Sequence, residues 1–211
     1  MSPVKNYSST IVFCEGTQTI VQNIINPKTG KTWMDRNLGA SRAAISITDS
    51  LAYGDLYQWG RASDGHQCRK SENFNYLSSN EHPNHDKFIL AINGNFDWLS
   101  SQNDSLWQGV NGMNNPCPSG YRIPTSIEID AEIATWSENN ITGAFNSVLK
   151  IPMPGHRSNY DGSLNEVGRN ANYWSSSLNG TFASDLNFDL GNARISGENR
   201  AYGFSVRCIK N

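Results

Sequence analysis

The chain has 211 residues, of which 37% are hydrophobic and 17% charged, and its formal net charge is −2. This length accommodates one domain or two small ones, and the 6 Trp, 8 Tyr and 8 Phe argue against disorder. The near-neutral charge provides no basic surface for nucleic acid or anionic lipid, and the 18 Gly favour a turn-rich β architecture.

The N-terminal part of the sequence predicts strands and one early helix. Runs of β-branched residues at 10–13, 19–21 and 24–25 are typical of strands. A Pro- and Gly-containing turn at 26–30 leads into another strand at 31–35, which predicts a hairpin. Apolar residues at helical spacing over 50–59 predict a helix that begins at Thr48 or Asp49, although Gly54 weakens it.

The rest of the chain predicts loops, a second helix and a β-rich end. Residues 61–116 are polar and irregular, a length that is usually functional or braced by neighbouring elements. A capping box of Thr125 and Glu128 opens an amphipathic helix that extends to about Trp136. Alternation then predicts strands over 182–190 and 202–209, the latter with Phe204, Val206 and Cys208 inward and Ser205 and Arg207 outward. Together these elements indicate an α+β protein with two main helices, long irregular loops and a twisted antiparallel sheet.

Five segments of the sequence resemble one known family. They are residues 33–40 (WMDRNLGA), 53–61 (YGDLYQWGR), 115–125 (NPCPSGYRIPT), 173–176 (YWSS) and 205–208 (SVRC). In this order they resemble the Fibrobacter succinogenes major paralogous domain, which occurs in Bacteroidota surface proteins and bacteriophage genomes. That domain is in turn similar to the formylglycine-generating enzymes and to the C-type lectin-like fold.

The resemblance implies a specific architecture. It predicts a C-type lectin-like fold in which the first and last strands pair and long loops carry the binding surface. We therefore divide the chain into an N-terminal strand-forming segment, 1–22, and a domain of this family, 23–211. In the same fold a disulfide commonly links the region of the first helix to the last strand. The resemblance thus places Cys117 and Cys208 within reach of each other.

The cysteines and histidines leave two interpretations open. The residues alone allow three pairings of the four cysteines, or four small buried hydrophobic side chains. His66, Cys68, His82 and His85 have the chemistry of zinc ligands, or they are ordinary loop residues. We expect no metal and no cofactor.

Catalytic and calcium-binding motifs are absent from the sequence. The resemblance to formylglycine-generating enzymes implies a pair of active-site cysteines late in the chain, but no cysteine lies between Cys117 and Cys208. The Glu-Pro-Asn, Gln-Pro-Asp and Trp-Asn-Asp triplets of calcium-dependent lectins are also missing. We therefore expect a protein that is not an enzyme.

The candidate ligand-binding residues lie in the long polar region. Trp98 and Trp107 either anchor their loops or form a binding hot spot, and anchoring is the favoured interpretation. Asn-rich loops with an occasional Tyr have the composition of adaptable recognition surfaces, which adds Tyr76 and Asn95 as candidates.

These observations lead to a functional hypothesis. The N-terminus lacks the apolar stretch of a secretory signal, because its longest run, 11–14, stops at Glu15, and no apolar run approaches the ~20 residues of a membrane span. We expect a recognition or structural module, located in a bacteriophage virion (fibre, tail or head decoration) or on an extracellular surface. Its partners are other virion proteins, a host-surface protein or a glycan, or a second copy of itself, but not nucleic acid or a membrane interior. The alternatives are a modifying enzyme similar to the formylglycine-generating enzymes and a detached surface-lipoprotein module.

Overall fold

The computed structural model describes residues 7–92 and 96–211, and it is mostly sheet with two short α-helices. The helices are α1 (Ser126–Ile133) and α2 (Ile141–Asn146). The strands are β1 (Asn23–Ile25), β2 (Thr32–Met34), β3 (Tyr57–Gln58), β4 (Asn73–Phe74), β5 (Phe88–Ile89), β6 (Tyr121–Arg122), β7 (His156–Arg157), β8 (Leu164–Asn165), β9 (Ala171–Asn179), β10 (Phe182–Phe188), β11 (Ala193–Glu198), β12 (Gly203–Phe204) and β13 (Ile209–Lys210). The α+β class predicted from the sequence is confirmed.

The strands form several small sheets rather than one continuous sheet. The described residues contain the sheets β1-β2-β13-β6, β11-β10-β9 and β3-β12-β7-β8, together with a parallel pair, β4-β5. The predicted N-terminal hairpin is present, with its turn closed by the Gly30 N–H, which donates to the Asn26 carbonyl at 2.8 Å. The last strand pairs with the second strand of this hairpin, Ile209 opposite Trp33. The strands nearest the two chain ends therefore share one sheet.

Two clusters of buried side chains form the core. The first surrounds the tryptophans of the loops and of β9 and includes Trp59, Trp98, Trp107, Trp174 and Phe204. The second lies between α1, α2 and one face of the β9–β11 sheet and includes Trp33, Ile129, Ile141, Tyr173 and Phe188. Because β9 alternates, Tyr173 points into the second cluster and Trp174 into the first, so this strand divides the core.

Helix α1 begins where the sequence predicts. The Thr125 hydroxyl accepts from the Glu128 N–H at 3.2 Å, and a Glu128 carboxylate oxygen accepts from the Thr125 N–H at 2.9 Å. The helix ends at Ile133, so the predicted extension to Trp136 is wrong. Trp136 still packs against the second cluster from the turn that follows.

Three local predictions are corrected by the structure. The predicted helix over 50–59 is a single 3₁₀ turn, Ser50–Ala52, because Gly54 at φ +69° ends it and β3 follows. No strand is found at 10–13 or 19–21 within the described residues, because that segment forms only isolated backbone hydrogen bonds and no continuous ladder. Helix α2 was not predicted, although Asn140 caps it by accepting from two backbone N–H groups.

The outward orientation predicted for Ser205 and Arg207 is also wrong, since they are 0% and 4% exposed. The Arg207 guanidinium donates to Asn37 Oδ1 at 2.9 Å and to the Leu149 carbonyl at 2.8 Å. These acceptors offset the cost of burying the cation. Both sides of the terminal segment are therefore buried, which a two-residue alternation does not reveal.

Two disulfides cross-link the chain. Cys117 and Cys208 are bonded with a Cα separation of 5.9 Å, which confirms the proximity implied by the family resemblance. Cys14 and Cys68 form the second bond, with a Cα separation of 5.3 Å. The second disulfide joins the N-terminal segment to the rest of the fold, and Phe13 of that segment packs against the first cluster. None of the helices in the described part of the chain has the length and apolar character needed to cross a membrane.

Candidate ligand-binding groove

The two loop tryptophans are fully buried. Trp98 donates its indole N–H to the Trp59 carbonyl at 2.7 Å, and Trp107 donates to the Asn114 carbonyl at 2.9 Å. The rings of Trp59 and Trp107 lie 5.8 Å apart. Both residues therefore anchor their loops to the core, and direct contact between either indole and a ligand does not fit this structure.

The other two candidates from the loops differ. Tyr76 is 74% exposed, and its ring lies 5.6 Å from that of Phe74. It is therefore free to contact a partner. Asn95 lies outside the described residues.

The four candidate zinc ligands do not form a site. Cys68 is bonded to Cys14 and offers no thiolate. His66 is fully buried, with Nδ1 2.7 Å from Asp64 Oδ1 and Nε2 accepting a backbone N–H, and burial lowers its pKa to about 4. Among the residues that the structure describes, no three His, Cys, Asp or Glu side chains come together as a metal-binding group, so His82 and His85 also lack partner ligands.

A shallow groove lies on the polar face of the β9–β11 sheet. Antiparallel pairing sets Asn172 of β9 opposite Asn187 of β10, on the face away from the second cluster. Strands β7 and β12 also contribute to its lining, through His156 and Phe204. Its cavity is about 230 Å³, and we call it the amide groove. It is lined by His156, Glu166, Asn170, Asn172, Asn187, Glu198, Tyr202 and Phe204.

One wall of the amide groove is aromatic. The rings of Tyr202 and Phe204 are stacked, with centroids 5.4 Å apart and an interplanar angle of 17°. His156 meets both rings edge-on at 5.7 and 6.1 Å. Phe204 is only 2% exposed and packs against Trp174 at 4.2 Å, so Tyr202 is the aromatic side chain available to a ligand.

The other wall consists of Asn side chains that are fixed by hydrogen bonds to neighbouring side chains. Asn172 donates to Asp185 Oδ2 at 2.8 Å, and Asn187 donates to Asn170 Oδ1 at 3.2 Å. Asp185 is fully buried, accepts also from Ser196 at 2.7 Å, and has a pKa raised to about 6 by burial. Each amide can form further hydrogen bonds, because it carries two donors and an acceptor with two lone pairs.

Two carboxylates complete the groove. Glu198 is partly buried, and this burial raises its pKa above the usual range. Glu166 is exposed at the rim, at φ 56°. Burial lowers the pKa of His156, and its Nδ1 has no hydrogen-bond partner among the described residues. Fixed amides, carboxylate acceptors and an aromatic surface together suit a ligand with many hydroxyl groups and an apolar face.

Sequence reasoning missed this groove because its residues come from five separate strands and the turns between them. The available signal was the alternation in β10, which places Asp185 and Asn187 opposite the apolar positions 186 and 188. Alternation identifies a polar face but does not show which other strands border it.

Comparisons with known proteins gave no match to a protein-family model, to a curated protein or to a solved structure.

Proposed function

We propose that this protein is a non-enzymatic recognition module with a C-type lectin-like fold, and that its amide groove binds a neutral glycan. The observation that carries the proposal is the combination, in one groove, of three positioned amides, two carboxylates and a tyrosine ring. Binding of this kind requires neither metal nor cofactor.

The strand pairing supports the lectin-like fold. The last strand pairs with the N-terminal hairpin, and the Cys117–Cys208 disulfide links the segment before α1 to the last strand. Residues 61–116 connect these elements with few regular structures, as expected for the long loops of that fold.

The chemistry of the groove supports a glycan over other ligands. Sugar hydroxyls both donate and accept, so they pair with amides and carboxylates without bringing charge into the groove. The C–H face of a sugar ring is apolar and packs against an aromatic side chain such as Tyr202. Glu166 and Glu198 repel anionic ligands, which favours neutral sugars over sulfated or sialylated ones.

We further propose a location outside the reducing cytoplasm, in a bacteriophage virion or on an extracellular surface. Both disulfides support an oxidising environment, because such bonds rarely persist in the cytosol. With all four cysteines oxidised, chemistry that depends on a thiolate is not available in this state, which favours recognition over catalysis.

A glycan microarray with neutral and anionic sugars tests the binding proposal. The wild-type chain is expected to bind neutral glycans, with the same result in the presence of EDTA. Glu198→Gln and Tyr202→Ala are each expected to weaken that binding about tenfold or more, since each removes a charged hydrogen bond or a packing surface.

Tyr76→Ala provides the matched control, because Tyr76 is an exposed tyrosine outside the groove. Full glycan binding by Tyr76→Ala, together with loss of binding by Tyr202→Ala, supports the amide groove as the glycan site. The reverse pattern, or no binding to any glycan, contradicts it.

Mass spectrometry of purified phage particles tests the location separately, and absence of the chain from particles and cell surfaces alike would contradict it.

A further inference from the structure

A second site, separate from the amide groove, surrounds Asp55. Two neighbouring cavities of about 370 and 100 Å³ share the residues Cys14, Glu15, Gly39, Ser41 and Asp55. We call this pair of cavities the Asp55 cleft. The volume of the larger cavity is more than ten times the ~30 Å³ that one water molecule occupies in the liquid, so the cavity has room for a small ligand.

The backbone on both sides of Asp55 fixes its carboxyl group in the cleft. The Asp55 N–H donates to the Leu38 carbonyl at 2.9 Å, which joins two distant parts of the chain. Gly39 and Gly54 both have positive φ, +79° and +69°. A Cβ at Gly39 would overlap the Asp55 carboxyl, and one at Gly54 would overlap the Leu38 carbonyl. The two glycines therefore allow the carboxyl to lie against the chain at the floor of the cleft.

The Asp55 carboxyl is buried without a donor. Asp55 is 7% exposed, and within the described ranges no hydrogen-bond donor contacts its carboxylate, whose oxygens keep some contact with solvent in the cleft. Arg69 lines the same cleft, where its charge lowers the pKa of Asp55, but its Nε and Nη1 donate to the carbonyls of Gly54, at 2.7 Å, and Pro154, at 3.1 Å, and its Nη2 has no partner within the described residues. Burying a carboxylate without hydrogen-bond donors costs free energy. A ligand that donates hydrogen bonds to Asp55 recovers part of this cost when it binds.

We propose that the Asp55 cleft binds a primary ammonium group on a short alkyl stem, with Asp55 as its counter-ion. An ammonium group is compact and carries three donors, so one ligand group satisfies several acceptor positions of the carboxylate. Glu15 lines both cavities and is exposed, which adds negative charge at the opening. Arg69 and Lys70 line the larger cavity only, so Asp55 and Glu15 are the charged residues that line the smaller one, and there they disfavour a carboxylate or phosphate ligand.

Binding is expected to depend on pH through Asp55. Burial raises its pKa to about 7, against the opposing attraction of Arg69. The other charged or titratable groups facing it are Glu15 and Lys70 of the cleft and the buried Tyr57. An alkylammonium stays protonated throughout this range, since its pKa is near 10.4. The ionised fraction of Asp55 rises from about a tenth at pH 6 to about nine tenths at pH 8, which predicts about tenfold tighter binding.

NMR titration of the intact oxidised chain with n-butylamine tests the proposal, with n-butanol as a neutral probe of the same shape. We expect saturable shifts at Asp55 and Gly39 for butylamine only, with affinity about tenfold higher at pH 8 than at pH 6. A peptide with one central lysine distinguishes the source of the amine. If it binds as well, the natural ligand includes a protein side chain, and if only butylamine binds, it is a small free amine.

Asp55→Asn keeps the shape of the side chain and is expected to abolish butylamine binding. Asp97→Asn is the matched control, because Asp97 is another buried carboxyl with a raised pKa that faces Arg200 rather than the cleft. Equal binding of butanol and butylamine, or wild-type binding by Asp55→Asn, would overturn the proposal. If Asp55→Asn does not fold, the wild type alone tests the proposal. A butylamine affinity that does not change between pH 6 and pH 8 would then overturn it. Neither result bears on glycan binding in the amide groove.

Discussion

Replacing Asp55 by Asn is expected to stabilise the ligand-free protein, and the gain should grow with pH. Desolvation raises the pKa of this carboxyl from 3.8 to about 7 in the folded state. Between these values the folded chain binds more protons than the unfolded chain, so wild-type stability falls as pH rises from about 4 to about 7. Asn carries no proton equilibrium there, so this loss is absent from the variant.

The size of the effect follows from the difference in pKa. A separation of about 3 units, at about 1.4 kcal/mol per unit, corresponds to about 4 kcal/mol as an upper limit above pH 7. Below pH 4 the carboxyl is protonated in both states, and Asp and Asn should then differ little. Asp97 and Asp185 have raised pKa values near 6 and contribute to the same slope in wild type. Their contribution cancels when the two proteins are subtracted.

Urea unfolding of wild type and Asp55→Asn from pH 4 to pH 8, with the disulfides intact, measures this difference directly. The free energy of unfolding of the variant should exceed that of wild type by an amount that increases over pH 4–7 and then levels off. Parallel profiles would refute the reasoning, because they would show that Asp55 titrates at its ordinary value. A variant that is less stable at every pH would show that an unrecognised donor holds the carboxylate.

Three further changes test the fold. Thr125→Ala should lower the free energy of unfolding by about 1 kcal/mol in urea denaturation, through loss of the capping box, and an unchanged midpoint would mean that the cap contributes nothing. Replacing Cys117 and Cys208 together by Ala should cost roughly 4–5 kcal/mol, because the bond closes a sequence separation of 91 residues, and equal melting temperatures for the variant and the oxidised wild type would contradict this. Trp98→Ala or Trp107→Ala should cost about 3–5 kcal/mol and expose the 61–116 loops to limited proteolysis, whereas wild-type stability with loss of ligand binding would identify the residue as a binding contact instead.

The sequence determined the features that depend on neighbouring residues. The 26–30 turn, the hairpin around it and the capping box of Thr125 are set by backbone preferences and hydrogen bonds within a few positions. The alternation in β10 likewise predicted a strand, because the side-chain period of a strand is local, but the predicted half-burial is wrong, since the structure buries both faces of β10. The α+β class follows from the sum of such signals.

The family resemblance contributed one contact across a long sequence separation, the proximity of Cys117 and Cys208. No local rule implies it, since residue types alone left three cysteine pairings open. The second bond, Cys14–Cys68, became evident only in the structure.

Only the tertiary structure decided which side chains are buried and which share a site. Arg207 has the charge of a surface residue, yet distant acceptors at Asn37 and Leu149 allow it to lie in the core. The amide groove and the Asp55 cleft likewise combine residues from separate segments. Burial and cavity shape depend on which segments pack together. The free energy of that packing comes from contacts throughout the chain, so no short segment of the sequence determines it.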